Sequence, residues 1–147
     1  MKTLILIRGL PGSGKTTLAK NMSGCDSATT FHFEADQYFY KDGVYRFNPS
    51  KLKDAHELCQ YNTSLMLRSY NDVTVIVANT FTTLKEMDYY FNLDFDRLQI
   101  IDVQKQFKSV HDVPEEAMSR MKNRYAGYEE IMEYLDYQVN VFYEEVK

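Results

Sequence analysis

The run Gly9-Leu10-Pro11-Gly12-Ser13-Gly14-Lys15-Thr16 constrains this chain more than any other feature. It has the spacing G-x-x-x-x-G-K-[ST], follows the apolar run Leu4-Ile5-Leu6-Ile7, and leads into Thr17-Leu18-Ala19-Lys20-Asn21-Met22. A strand before the motif and a helix after it are the context in which the pattern acquires chemical meaning. Glycines at 9, 12 and 14 let the backbone curl so that successive N–H groups face one concavity at the positive end of a helix. Such a concavity cradles phosphates. Lys15 can reach β- and γ-phosphates, and the Thr16 hydroxyl can ligate Mg²⁺. The spacing therefore predicts nucleoside triphosphate binding by Gly9, Leu10, Pro11, Gly12, Ser13, Gly14, Lys15, Thr16 and Thr17.

Size and charge narrow the classes. A chain of 147 residues reads most simply as a single domain over 1–147, large enough for a core without disulfide staples. Its net charge of −4 argues against a broad basic face for duplex nucleic acid, though not against a local basic patch. Cys25 and Cys59 are too few and too far apart for a disulfide framework or a zinc site. No apolar stretch approaches the ~18 residues of a membrane helix, and the N-terminal apolar run is consumed as a strand. The expected location is the cytoplasm, with no membrane partner.

Strand and helix signals alternate. Thr3–Ile7, Thr30–Phe33, Val73–Val77 and Leu98–Val103 read as strands, and Lys15 to about Ser23-Gly24 as a helix. Asp42-Gly43 reads as a turn. Asn48-Pro49 opens a helix with Leu52, Ala55, Cys59 and Met66 along one side and Leu58 and Leu65 beside them. Thr83 and Glu86 have capping-box spacing for a short helix through Phe91. Pro114-Glu115-Glu116 opens another helix, which Gly127 interrupts. A final helical segment over about 128–147 is expected to carry Tyr128, Ile131, Leu135 and Phe142 on one face. Alternation of this kind predicts an α/β fold, a parallel sheet flanked by helices, with ligands beyond the carboxyl ends of the strands. Chemistry is then expected in residues 8–16, 34–38, 78–83 and 104–113.

Those loops hold candidate groups. Asp36, beyond the second strand, can serve as a general base or as a turn-capping aspartate; position alone does not choose. A carboxylate there can also orient the water shell of a magnesium ion. Glu34 reads as structural or as a weaker alternative. Asn79 follows the strongest strand where many P-loop enzymes hold a metal-binding aspartate, so Thr16 and Asp36 would carry more of the metal. Lys108, Arg120 and Arg124 are the cations best placed to close over a transferring phosphate, against a solvated helix face as the bland reading. Tyr38, Phe39, Tyr40 and Tyr45 can stack on a base or form core; the three histidines read as packing or surface residues.

Several stretches beyond the loop carry a family likeness. They are Phe33 to Phe39, Asp42 to Pro49, Ala55-His56, Ala78-Asn79-Thr80, His111 to Pro114 and Arg120 to Tyr125. With the Gly9–Thr16 loop they resemble the small polynucleotide-kinase-like P-loop ATPases, in particular the branch also found as a domain in ubiquitin-ligase-binding proteins. The resemblance covers about residues 3–126. It implies a three-layer P-loop kinase fold with a small helical lid over ATP. It also implies Asp36 as the base, and Lys15 and Thr16 as the ATP and Mg²⁺ residues. The sequence departs from the pattern at Gln37, Tyr38 and Phe39, where polynucleotide kinases carry a substrate-binding arginine. It departs again in a shortened stretch before His111, with Lys108 where a lid arginine is expected.

The expected function is ATP-dependent phosphotransfer to a hydroxyl of a nucleic acid, nucleotide or small metabolite. Lys15, Asp36, Lys108, Arg120 and Arg124 would be its catalytic residues. The alternatives are a nucleotide hydrolase switch and a nucleotide-binding interaction module. For the latter, the C-terminal helix would meet a second copy or a protein partner.

Overall fold

The computed structural model describes residues 1–24, 29–107 and 113–147. Five parallel strands form its centre: β1 (Lys2–Arg8), β2 (Thr30–Phe33), β5 (Val73–Ala78), β6 (Arg97–Val103) and β7 (Val141–Val146), side by side in the order β2-β5-β1-β6-β7. A separate hairpin pairs β3 (Tyr40–Lys41) with β4 (Val44–Tyr45). The helices are α1 (Lys15–Ser23), α2 (Leu52–Ser69), α3 (Leu84–Phe91), α4 (Glu115–Arg124) and α5 (Tyr128–Tyr134).

β1 is apolar on both faces because both faces are covered. Leu4 and Leu6 join Val75, Val77, Leu98, Ile100 and Val141 against Cys59 and Leu67 of α2, Met87 and Tyr90 of α3, and Ile131 and Met132 of α5. Ile5 and Ile7 turn the other way with Ile76, Ala78, Ile101 and Val103, onto Leu18, Ala19 and Met22 of α1. Each buried aliphatic chain contributes about 1.5–3 kcal/mol. This is the three-layer arrangement expected from the alternation, with β1 central and the loop after it aimed at one end of the sheet.

Local signals hold at most boundaries. α3 starts on a capping box made by Thr83 and Glu86. Asn48 accepts from Ser50 N–H, but the turn it caps is a 3₁₀ turn, Pro49–Lys51, which runs on into α2. The buried stripe of α2 is Ala55, Cys59, Thr63 and Leu67, at intervals of four, whereas Leu52 and Leu58 are exposed. Thr63 fits the apolar stripe because its hydroxyl donates to Cys59 O at 2.8 Å. The Asp42-Gly43 turn, with φ of 53° and 78°, closes the β3–β4 hairpin, the geometry that Asp-Gly favours. Among the described residues, no helix is long and apolar enough to cross a membrane.

The C-terminal segment corrects the sequence reading. Helix ends at Tyr134, and Asp136 and Tyr137 take left-handed backbone with φ of 55° and 46°. The chain then extends as β7 along β6. A helical face through Tyr128, Ile131, Leu135 and Phe142 is therefore broken: Ile131 and Leu135 are buried, while Phe142 lies exposed on a strand. The Val-Phe-Tyr content of 141–143 favours a pleated surface, and β6 offers an unpaired edge to satisfy.

Arg8, the last residue of β1, is fully buried. Its Nε and Nη2 donate to Phe81 O at 3.1 and 2.9 Å, and its Nη1 donates to Ala126 O at 2.6 Å and Tyr143 Oη at 3.1 Å. The guanidinium also stacks 4.0 Å over the Tyr125 ring and lies 3.8 Å from the Asp102 carboxylate. Tyr125 and Tyr143 both donate to Asp102, each at 2.8 Å. Burial holds both tyrosine hydroxyls well above their ordinary range, despite the neighbouring guanidinium, so they stay donors. Arg8→Met should cost about 3–5 kcal/mol, because it leaves a buried carboxylate and two carbonyls without their cation. Urea unfolding of the variant checks this.

Candidate functional site

The phosphate-loop motif forms the link from β1 to α1, as the spacing predicts. Gly12 and Gly14 have φ of 83° and 93°, where a side chain would be strained. Gly9 is required by space: a Cβ there would meet Ser13 Oγ at 2.5 Å and Val103 O at 2.8 Å. The loop is held on itself by Ser13 N–H to Leu10 O at 3.1 Å, and to its neighbours by Gly9 N–H to Thr80 O at 3.3 Å. From the other side, Phe107 N–H donates to Gly12 O at 2.7 Å, and Gln106 Nε2 donates to Pro11 O at 3.1 Å. Two residues after β6 thus clamp the loop, a role the sequence did not signal. The Ser13 hydroxyl is buried without a partner among the described residues.

Lys15 opens α1, and its Nζ donates to Leu10 O at 3.1 Å. Burial lowers its pKa to about 8, against the opposing pull of the Glu34 and Asp36 carboxylates. Those three groups are therefore one electrostatic unit, assembled from the ends of β1 and β2. α1 has no acidic residue in its first turn and no side-chain cap hydrogen bond among the described residues, so no side chain satisfies its N-terminal N–H groups.

β2 ends in two carboxylates with different surroundings. The Thr16 hydroxyl donates to Glu34 Oε1 at 2.7 Å, and His32 Nε2 lies 2.6 Å from Glu34 Oε2. An ionised carboxylate only accepts, so that histidine carries its proton on Nε2. Asp36 sits in a 3₁₀ turn, Ala35–Phe39, and accepts from the Tyr45 hydroxyl at 3.1 Å. Partial burial, and then Asp36 itself, push the Tyr45 hydroxyl up to about 12. His56 on α2 senses the carboxylates of Glu86 and Asp36, yet burial lowers its pKa. The period of two on β2 puts His32 and Glu34 on one side, the signal by which this pair could have been read.

Asn79, at the end of β5, faces inward. Its Oδ1 accepts from Ala35 N–H at 2.9 Å, and its Nδ2 points at Cys59 Sγ, 3.8 Å away. It holds the turn that carries Asp36 and does not reach the phosphate loop. The aromatic group divides likewise: Phe39 is core with Ala35 and Ala55, whereas Tyr38 and Tyr40 are exposed.

α4 ends beside the link after β5. Arg124 Nε donates to Thr82 Oγ1 at 3.1 Å, and Arg120 is exposed one turn earlier. Lys108, with His111, lies outside the described residues. A cleft of about 240 Å³ opens between Leu10, the end of β6 and the α4 side, lined there by Lys122 and Tyr125. A second hollow, about 330 Å³, lies at the opposite end of the strands among Met1, Thr3 and Thr30, away from these groups.

The donor set suits a magnesium nucleotide. Among the described residues, no group of three or more His, Cys, Asp and Glu could hold a metal by itself. Mg²⁺ needs no such cage, since it keeps waters and binds through one or two protein oxygens plus phosphates. The Thr16 hydroxyl and the two carboxylates are oxygen donors of that kind.

No family model matches the chain. It is 31% identical over 134 residues to human NEDD4-binding protein 2, a match that takes in 83% of this chain and 8% of that protein. A chain of the Pnkp1/Rnl/Hen1 RNA repair complex superposes with a TM-score of 0.56 at 16% identity, over 84% of this chain and 37% of that one. The APS kinase CysC of Mycobacterium tuberculosis superposes with a TM-score of 0.51 at 10% identity, over 84% of this chain and 96% of that one. The protein has the P-loop kinase fold. Both kinds of protein that the motifs resemble are met among these neighbours.

Asn79→Ala tests the brace between β5 and Asp36. It leaves the buried Ala35 N–H without an acceptor, so stability should fall by about 1–3 kcal/mol in urea unfolding.

Proposed function

We propose that this protein is an ATP-dependent kinase that moves the γ-phosphate to a hydroxyl on a nucleic acid, nucleotide or small metabolite. One observation carries the reading: Lys15, on the first turn of α1 after a Gly-rich loop, donates to Leu10 O of that loop at 3.1 Å and feels the carboxylates of Glu34 and Asp36 beyond β2. In this reading Gly9 to Thr17 bind the triphosphate through backbone N–H groups, and Lys15 meets the β- and γ-phosphates. Asp36 takes the proton of the acceptor hydroxyl as its oxygen bonds to the γ-phosphorus. The bridging P–O bond to the β-phosphate breaks, and ADP leaves with that electron pair. The Tyr45 hydrogen bond fixes the direction of the carboxylate. Thr16, with Asp36 nearby, would hold Mg²⁺, which would supply charge neutralisation to the triphosphate.

Arg120, Arg124 and Lys108 are the cations assigned to the transferring phosphate. Arg124 supports this assignment best, since its tie to Thr82 holds the end of α4 beside the β5 loop.

Two measurements test the reading. In radiolabelled transfer screened over 5′-hydroxyl DNA, 5′-hydroxyl RNA and nucleosides, Asp36→Asn should be about 10²–10⁴-fold slower while still binding ATP. Equal rates would return Asp36 to a capping role. ATP binding without transfer to any acceptor would favour a nucleotide-binding module.

The second measurement is pH dependence. Lys15 is an ammonium below about pH 8 and an amine above it, and phosphate requires the ammonium. ATP affinity should therefore fall about tenfold between pH 7 and pH 9, as binding comes to require proton uptake. Calorimetry in two buffers of different ionisation enthalpy reads that proton directly. Lys15→Arg, charged throughout, should show no such loss over the same range.

A further inference from the structure

We propose that Glu34 is a positioning residue for the metal: it orients the Thr16 hydroxyl and supplies the negative charge that Asn79 does not. The proposal rests on the kinase reading above, and it separates the two carboxylates at the end of β2. Asp36 serves the acceptor and the metal's waters; Glu34 serves the threonine hydroxyl that would hold the cation.

The geometry argues as follows. A hydroxyl that lends a lone pair to Mg²⁺ must turn its hydrogen away from the metal and give it to an acceptor. Thr16 has that acceptor in place, Glu34 Oε1 at 2.7 Å. The second carboxylate oxygen is fixed by His32 Nε2 at 2.6 Å, and the two side chains are only 10% and 12% exposed. This is the order found around metal sites, where a partner beyond the ligand fixes its orientation and raises its basicity. Thr16 itself is exposed at the first turn of α1, directly after the loop. Asn79 is neutral, and both its polar atoms are turned elsewhere, to Ala35 N–H and Cys59. The β5 end thus contributes no charge, and Glu34 is the carboxylate in contact with the threonine.

A purely structural Glu34 would brace the loop equally with or without metal, and that difference can be measured. ATP affinity is determined by calorimetry in EDTA and in Mg²⁺, and Mn²⁺ affinity by electron paramagnetic resonance with ATP present. The wild type is expected to gain affinity with Mg²⁺. Glu34→Gln should lose about tenfold or more of that gain, and the same factor in Mn²⁺ affinity. In EDTA its ATP affinity should hold or rise, because a negative charge facing the phosphates is gone. An undiminished Mg²⁺ gain in Glu34→Gln, or an equal loss in EDTA and Mg²⁺, overturns the proposal. Should Glu34→Gln fail to fold, Glu34→Asp keeps the charge on a shorter stem. Its Mg²⁺ gain is expected to fall while its EDTA affinity holds, and equal losses again overturn the proposal. A wild type that binds no ATP in either buffer defeats the kinase reading itself, and this inference with it.

Discussion

The buried Arg8 guanidinium is the interaction on which the working end of this molecule depends. It stands one residue before the phosphate loop and gathers Phe81 O, Ala126 O, Tyr143 Oη and the Asp102 carboxylate. Those groups belong to the end of β6, the link after β5, the junction between α4 and α5, and β7. A buried cation is costly to desolvate and stays only where donors and acceptors are closely matched. That requirement makes the arrangement specific. Moving any one of these elements would strand a charge or a carbonyl away from water. The loop at Gly9 therefore leaves β1 from a fixed point, and α4 ends at a fixed point across from it.

Much of this was legible from local rules. The loop motif, four of the five parallel strands, the capping box at Thr83 and the break at Gly127 each follow from a few adjacent residues. What was not legible depends on residues far apart in sequence. Arg8 reads as the polar end of an apolar strand until Ala126 and Tyr143 are brought to it, more than a hundred positions on. β7 reads as the tail of an amphipathic helix because Tyr128, Ile131 and Leu135 do have helical spacing. Only the left-handed pair Asp136 and Tyr137, and the open edge of β6, turn the remainder into a strand. Thr63 is polar by type, yet it joins the buried stripe of α2 because the preceding turn satisfies its hydroxyl.

The site repeats that pattern. Lys15, Thr16 and Asp36 were identifiable as chemistry, but their supports were not. Asn79 could be noticed only as a missing carboxylate; its service to Ala35 N–H needs β2 and β5 side by side. His32 and Glu34, two apart on a strand, share a side, yet nothing in β2 says that Thr16 lies across from them. Phe107 and Gln106 were part of a segment expected to carry catalytic cations, and they hold the back of the loop instead. Side chains that perform chemistry advertise themselves by type and spacing, whereas side chains that position them are ordinary residues made useful by topology.

Charge at the loop mouth gives this positioning its consequence. One ammonium faces two carboxylates there, and burial still prevails in setting the Lys15 pKa. The partial positive charge at the start of α1, equivalent to roughly half a unit, does not restore balance. A triphosphate entering this region brings several more negative charges to a mouth that already holds two carboxylates. In the kinase reading a divalent cation then strengthens binding, and the Thr16–Glu34 contact gives that cation a defined place. In the kinase reading the arginines of α4 answer a different need, the charge that develops on the transferring phosphate. Arg124 is tied to Thr82 in the link after β5, whereas Lys15 opens α1. On that reading, cations for holding and cations for transfer come from different elements of the fold.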